Sequence, residues 1–134
     1  MTYTREQILS MYGDELENAA AEVVCGWTIA TDDIGVLWWK DGNGEKMSLE
    51  VLFQPSSDRN AAMELEARTM EKNSAKYIDE LIELIYKPGI VQFDSYTGEE
   101  TLTYEGVAYL MKATPEQRTK AAILAMIESG GTGE

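Results

Sequence analysis

The stretch that most constrains this chain runs from Thr114 to Gly131. Thr114 is a natural N-cap, Pro115 stands where its missing N–H costs nothing, and Gln117 is placed to close a capping box. Gly130 and Gly131 follow the last apolar residue and mark the stop. Between these ends, Ala121 to Ile127 is an unbroken apolar run. A surface helix carries one apolar stripe; a helix apolar nearly all round is enclosed on several sides. The stretch predicts a central helix pressed against a sheet, and the rest of the chain must supply its walls.

The walls can be read in order. Thr4, with Gln7 as capping-box partner, opens an amphipathic helix of about five turns that ends near Gly26. Gly13 inside it has no account beyond close packing. Thr28 to Asp33 reads as a loop. Strands follow at 34–40 and 46–54, joined by the turn Asp41-Gly42-Asn43-Gly44. The first is apolar on both faces, with Trp38 on one and Trp39 on the other, so it lies deeper. In the second, Met47, Leu49, Val51 and Phe53 point inward. From Asp58 to Lys87 two helical stripes meet at Asn73-Ser74, as one helix or, by the Asn-Ser junction, two. Asp79, Glu80 and Glu83 form the polar back of the second stripe. A second hairpin pairs 90–96 with a long strand at 101–111, where Gly106 marks a bulge. The order is helix, hairpin, helix or helices, hairpin, helix. It predicts an α+β layered domain with a mainly antiparallel sheet. The length fits a single domain over 1–134, with 129–134 a flexible tail.

Several chemistries are excluded by residue type. There is no histidine, which removes Ser/His/Asp and Cys/His catalysis and the usual zinc sites. The lone Cys25 reads as a buried or half-buried structural thiol. Asp41 to Glu45 opens like a calcium loop but lacks its glycine and its terminal glutamate. The pairs Asp32-Asp33 and Glu99-Glu100 fall in loops, where solvation is expected and not the enclosed site that acid/base work needs. The reading is a non-enzymatic protein with no cofactor and no metal.

Charge points to partners. The net charge is −13, and the acids are uneven: residues 1–33 hold seven acids against one base. Such a field disfavours nucleic acid and anionic membranes and attracts basic partners. No run is long enough to span a bilayer, and no signal segment opens the chain. The expectation is a cytoplasmic protein. The two tryptophans imply cover on both faces of their strand; the alternative leaves one indole, Trp39, exposed as an anchor.

Three patches resemble a known family. They are Arg5 to Met11 continuing through Ala21-Glu22-Val23-Val24-Cys25-Gly26-Trp27, then Phe53 to Ala62, then Ala113 to Ala125. In that order they are similar to the opening, the proline-serine turn into a helix, and the closing helix of the phage ABA sandwich domain family. The chain departs from the family at Met63, where tryptophan is frequent, and in a longer, more charged middle. The resemblance implies a three-layer α/β/α sandwich and a phage or prophage origin. It implies no activity and carries no functional residues.

The function expected is capture and inhibition of a host (defence) protein with a basic surface, by carboxylates standing where phosphates would sit. The candidate surface is Asp14, Glu15, Glu17, Asp32, Asp33, Trp39, Glu99 and Glu100. A second reading is a homo-oligomer that sequesters a nucleotide signal with Arg59, Arg68 and Arg118 converging in a pocket. A third is a virion or assembly component.

Overall fold

The computed structural model describes residues 3–128. The expected tail at 129–134 and the glycine stop of the last helix lie outside the described residues. The elements are α1 (Arg5–Ser10), α2 (Gly13–Ala20) with a π-helical turn (Ala21–Cys25), β1 (Thr28–Thr31), β2 (Leu37–Lys40), β3 (Lys46–Leu49), a 3-10 turn (Glu50–Leu52), α3 (Arg59–Ile85), β4 (Val91–Phe93), β5 (Glu100–Leu102), α4 (Tyr104–Met111) and α5 (Pro115–Glu128). Helices and antiparallel strands are mixed, as an α+β chain requires. The two hairpins, however, belong to separate sheets, one ordered β1-β2-β3 and the other β4-β5.

The capping box of α5 forms as its sequence demands. Thr114 N–H donates to Gln117 Oε1 at 2.9 Å, and Gln117 N–H donates to Thr114 Oγ1 at 3.1 Å. From Ala121 to Met126 every residue is buried. The walls around it are helical: α3 packs along it most extensively, and α1, α2 and the π-turn close other sides. Its most extensive packing is therefore helix on helix. Ala121, Ala122 and Ala125 explain why, since small side chains let neighbouring helices approach closely. Burial of Ile123 and Leu124 stabilises the core by roughly 1.5–3 kcal/mol each.

The expected five-turn first helix is broken. The chain is extended at Met11 and Tyr12, and Gly13 restarts it with φ of 59°. Nothing lies within 4 Å of a Cβ built on Gly13, so backbone conformation and not close packing selects glycine there. In α3, Asn73 leaves helical geometry (φ −161°, ψ 89°), and its side chain accepts from Lys76 N–H at 3.1 Å. Asn73 thereby caps a second arm, and α3 is two helical arms meeting at a kink.

Strand readings change along the chain, and the strand expected at 34–40 begins only at Leu37, leaving Ile34 exposed in the preceding turn. Thr28–Thr31, read as a loop, is strand β1, with Ile29 opposite Trp39. The 46–54 strand ends at Leu49 and gives way to the 3-10 turn, leaving Met47 and Val51 exposed. The long strand at 101–111 is a short β5 followed by helix α4. Thr103 caps that helix by accepting from Gly106 N–H at 3.0 Å. Gly106 is no bulge: a Cβ there would fall inside contact distance of the Ile90 carbonyl oxygen. It lets α4 lie directly on the backbone leading into β4.

Candidate functional site: an acid-rimmed apolar cleft

The second arm of α3 presents Asp79, Ile82 and Glu83 at helical spacing on one face, and Tyr86 follows as its C-cap residue. The β4–β5 hairpin lies alongside, with Val91 paired to Leu102 and Phe93 to Glu100. Between them is a cleft of about 540 Å³ whose lining includes Ile82, Tyr86, Val91 and Leu102, with carboxylates from Asp79, Glu83 and Glu100. Apolar surface with a few convergent polar groups is the usual character of a binding cleft.

The three carboxylates differ in what holds them. Glu83 Oε2 accepts from Arg5 Nη2 at 2.8 Å. Among the described residues, neither Asp79 nor Glu100 stands in an ion pair, so both charges are available to a partner.

Beneath the Glu83 end lies a buried acid. Glu80, assigned to the polar back of its helix on spacing, is buried at 3% exposure. Arg5 Nη1 lies 2.8 Å from its Oε1 without the alignment of a hydrogen bond. Burial pushes the Glu80 carboxyl up to about 7, and its hydrogen bond with Glu128 adds to the rise. The same bond holds Glu128 below the ordinary glutamate range. Glu128 also meets Arg5 at 3.3 Å and Lys76 at 3.5 Å. The cluster ties α1, α3 and α5 together, which is a structural role.

The residues expected from sequence fall in separate places. Asp14 and Glu17 line a smaller cleft of about 240 Å³ with Glu50, and Glu15 is exposed nearby on α2. Glu17 is buried, and its carboxylate accepts from the Ser56 hydroxyl and, at 3.1 Å, from the Ser56 N–H. That carboxylate is bound to the turn before α3 and is no surface charge. Burial raises the Glu17 pKa, against the Ser56 bonds that lower it.

Asp32 is consumed locally too. It accepts from the N–H groups of Ile34 and Val36 and from Trp38 Nε1, each at 3.0 Å. Those bonds, the Val36 one first, hold its pKa below the ordinary range. Asp33 is exposed in the same turn. Trp39 is 2% exposed in the core, so it is not available as a surface anchor. Trp38 takes the outer face, with Lys46 Nζ 4.7 Å above its ring. Glu99 is exposed and faces a groove at the hairpin tip, while only Glu100 joins the acid-rimmed cleft.

Asp79 and Glu83 carried one signal in the sequence. They share one helical face with Ile82, which makes a mixed stripe and not a uniformly solvated back.

The arginines do not converge. Arg118 is buried against Glu66 at 2.6 Å, Arg68 lies 5.6 Å over the Trp27 ring, and Arg59 is exposed at the start of α3. Among the described residues, no group of three or more Cys, Asp or Glu is placed to hold a metal ion. No helix among them is long and apolar enough to cross a membrane. No family model matches the chain, and no curated protein or solved structure matches it.

Proposed function

We propose that this is a non-enzymatic phage or prophage accessory protein that captures a basic host protein through the acid-rimmed cleft between α3 and the β4–β5 hairpin. The observation that carries the reading is the pair Asp79 and Glu100. Among the described residues they are charges without a cation of their own, set beside apolar surface in a chain of net charge −13. Apolar contact supplies affinity, while the carboxylates steer a cationic partner and fix its register. The exposed acids Asp14, Glu15, Asp33 and Glu99 extend the same field over other faces. In the inhibitory form of this reading, the carboxylates occupy positions on the partner that phosphates would otherwise take, in the host cytoplasm.

The proposal includes membership of the phage ABA sandwich family and its three-layer α/β/α arrangement. It is supported by the three sequence patches and by the closing helix α5. Trp39 from one sheet and Val91 from the other both reach the helical core, as layering requires.

The test is affinity capture from host lysate with the parent chain and with Asp79→Lys/Glu100→Lys. The parent retains a partner that duplex DNA displaces and that salt releases; the double variant, folded by circular dichroism, loses it. A partner held equally by both would overturn the reading.

A further inference from the structure

Helix α4 has an apolar face that nothing covers among the described residues. Tyr104, Val107, Ala108 and Met111 recur at helical spacing and share one side. All four are exposed, Tyr104 at 98% and Met111 at 68%. The opposite side is fixed inward by Gly106, which is buried against the Ile90 carbonyl and Leu102. The helix therefore cannot turn its stripe toward the core. This face is distinct from the acid-rimmed cleft, none of whose lining residues belongs to α4.

The stripe is flanked by two charges of opposite sign. Glu105 and Lys112 lie seven positions apart, two helical turns, so they stand on one flank at opposite ends of the stripe. Both are exposed, and neither is in an ion pair among the described residues. A two-fold axis brings the same flank of two antiparallel helices together with their sequence order reversed. Each Glu105 then meets Lys112 of the other copy, twice over. The centre of that pairing falls between Ala108 and Tyr109, and the small Ala108 side chain permits close approach. Tyr104 of one copy comes over Met111 of the other, an aromatic–sulfur contact. A parallel pairing has no such match.

We propose that α4 is a self-association face, on which a second copy of this chain docks its own α4 antiparallel across a two-fold axis. The stripe itself contains no acid, so two strongly acidic chains meet along uncharged side chains, with two ion pairs at the rim. The dimer is weak and concentration-dependent, because a single short helix covers little area.

Sedimentation across a concentration series tests this. The parent chain forms a dimer at high concentration. Met111→Glu abolishes it. Glu105→Lys alone and Lys112→Glu alone each weaken it at least several-fold at low salt, because like charges now face each other. Mixing those two variants restores a dimer at parent strength, since each supplies what the other lacks. Adding Met111→Glu to either removes that rescue. All of these positions are exposed, and circular dichroism confirms folding. A chain monomeric at its highest soluble concentration overturns the proposal. So does a dimer indifferent to Met111→Glu, or one in which the mixed charge variants gain nothing.

Discussion

Arg118 of α5 and Glu66 of α3 meet at 2.6 Å, although 52 positions separate them in the chain. Tyr77 donates to the same Glu66 oxygen at 2.6 Å. The guanidinium also donates to the carbonyls of Leu110, Met111 and Ala113 at the end of α4, at 3.1–3.2 Å. One buried cation thus joins three helices. Arg118→Ala would strip donors from four oxygens, and the expected loss is about 3 kcal/mol in urea denaturation. Arg118→Lys should recover only part, because an ammonium cannot span the fork's acceptors. An unchanged unfolding midpoint for the alanine variant would show that the network contributes nothing.

Gly106 and Gly13 should respond differently to alanine. At Gly106 the new methyl meets Ile90 backbone and, at 3.1 Å, the Leu102 side chain. Backbone cannot yield as a flexible side chain can, so overpacking should cost about 2–3 kcal/mol and displace α4. Gly13→Ala meets nothing but must hold φ of 59°, which costs roughly 1 kcal/mol. Paired thermal melts give the ranking; equal losses would contradict the close approach at Gly106.

Glu80 sets a pH dependence of definite sign. Its folded pKa is raised from 4.5 to about 7, so between those values the folded chain keeps a proton that the unfolded chain has released. Its contribution to stability is complete below pH 4.5 and is lost as pH rises through about 7. Glu128 and Asp32, with lowered pKa values, act in the opposite sense: their contribution is lost as pH falls below the ordinary carboxylate range. Glu80→Gln should flatten the decline between pH 4.5 and 7 in melts across that window. A decline as steep as the parent's would place its origin elsewhere.

Cys25 should be slow to alkylate. Burial pushes its thiol up to about 11, so little thiolate exists at neutral pH. Iodoacetamide labelling followed by mass spectrometry should stay low in the native chain and become complete in denaturant. Rapid native labelling would mean that the π-turn opens readily.

What the sequence made legible is what local chemistry dictates. The α5 capping box, the Asp41–Gly44 turn and the Asn73 break each depend on a few neighbouring residues, and each forms. Helix α4 was hidden because Leu102, Tyr104, Gly106, Ala108 and Leu110 also alternate with period two. The deciding features, Thr103 as a cap and Gly106 on the Ile90 carbonyl, are respectively subtle and tertiary. The site was less legible still. Exposed and buried acids look alike in a sequence. Glu17 and Glu80 are buried because Ser56 and the Arg5–Glu128 pair wait for them at distant positions. The cleft likewise exists only once the β4–β5 hairpin settles beside α3.

The helix enclosed on all sides is also the one translated after everything it packs against. Until α5 emerges from the ribosome, the apolar faces of α1, α2 and α3 have no common surface to bury. Nascent chains stopped short of Pro115 should then be clients for chaperones and proteases, and folding should begin only once α5 is available. The Arg5–Glu128 contact, 123 positions apart, joins α1 to α5 in that late assembly.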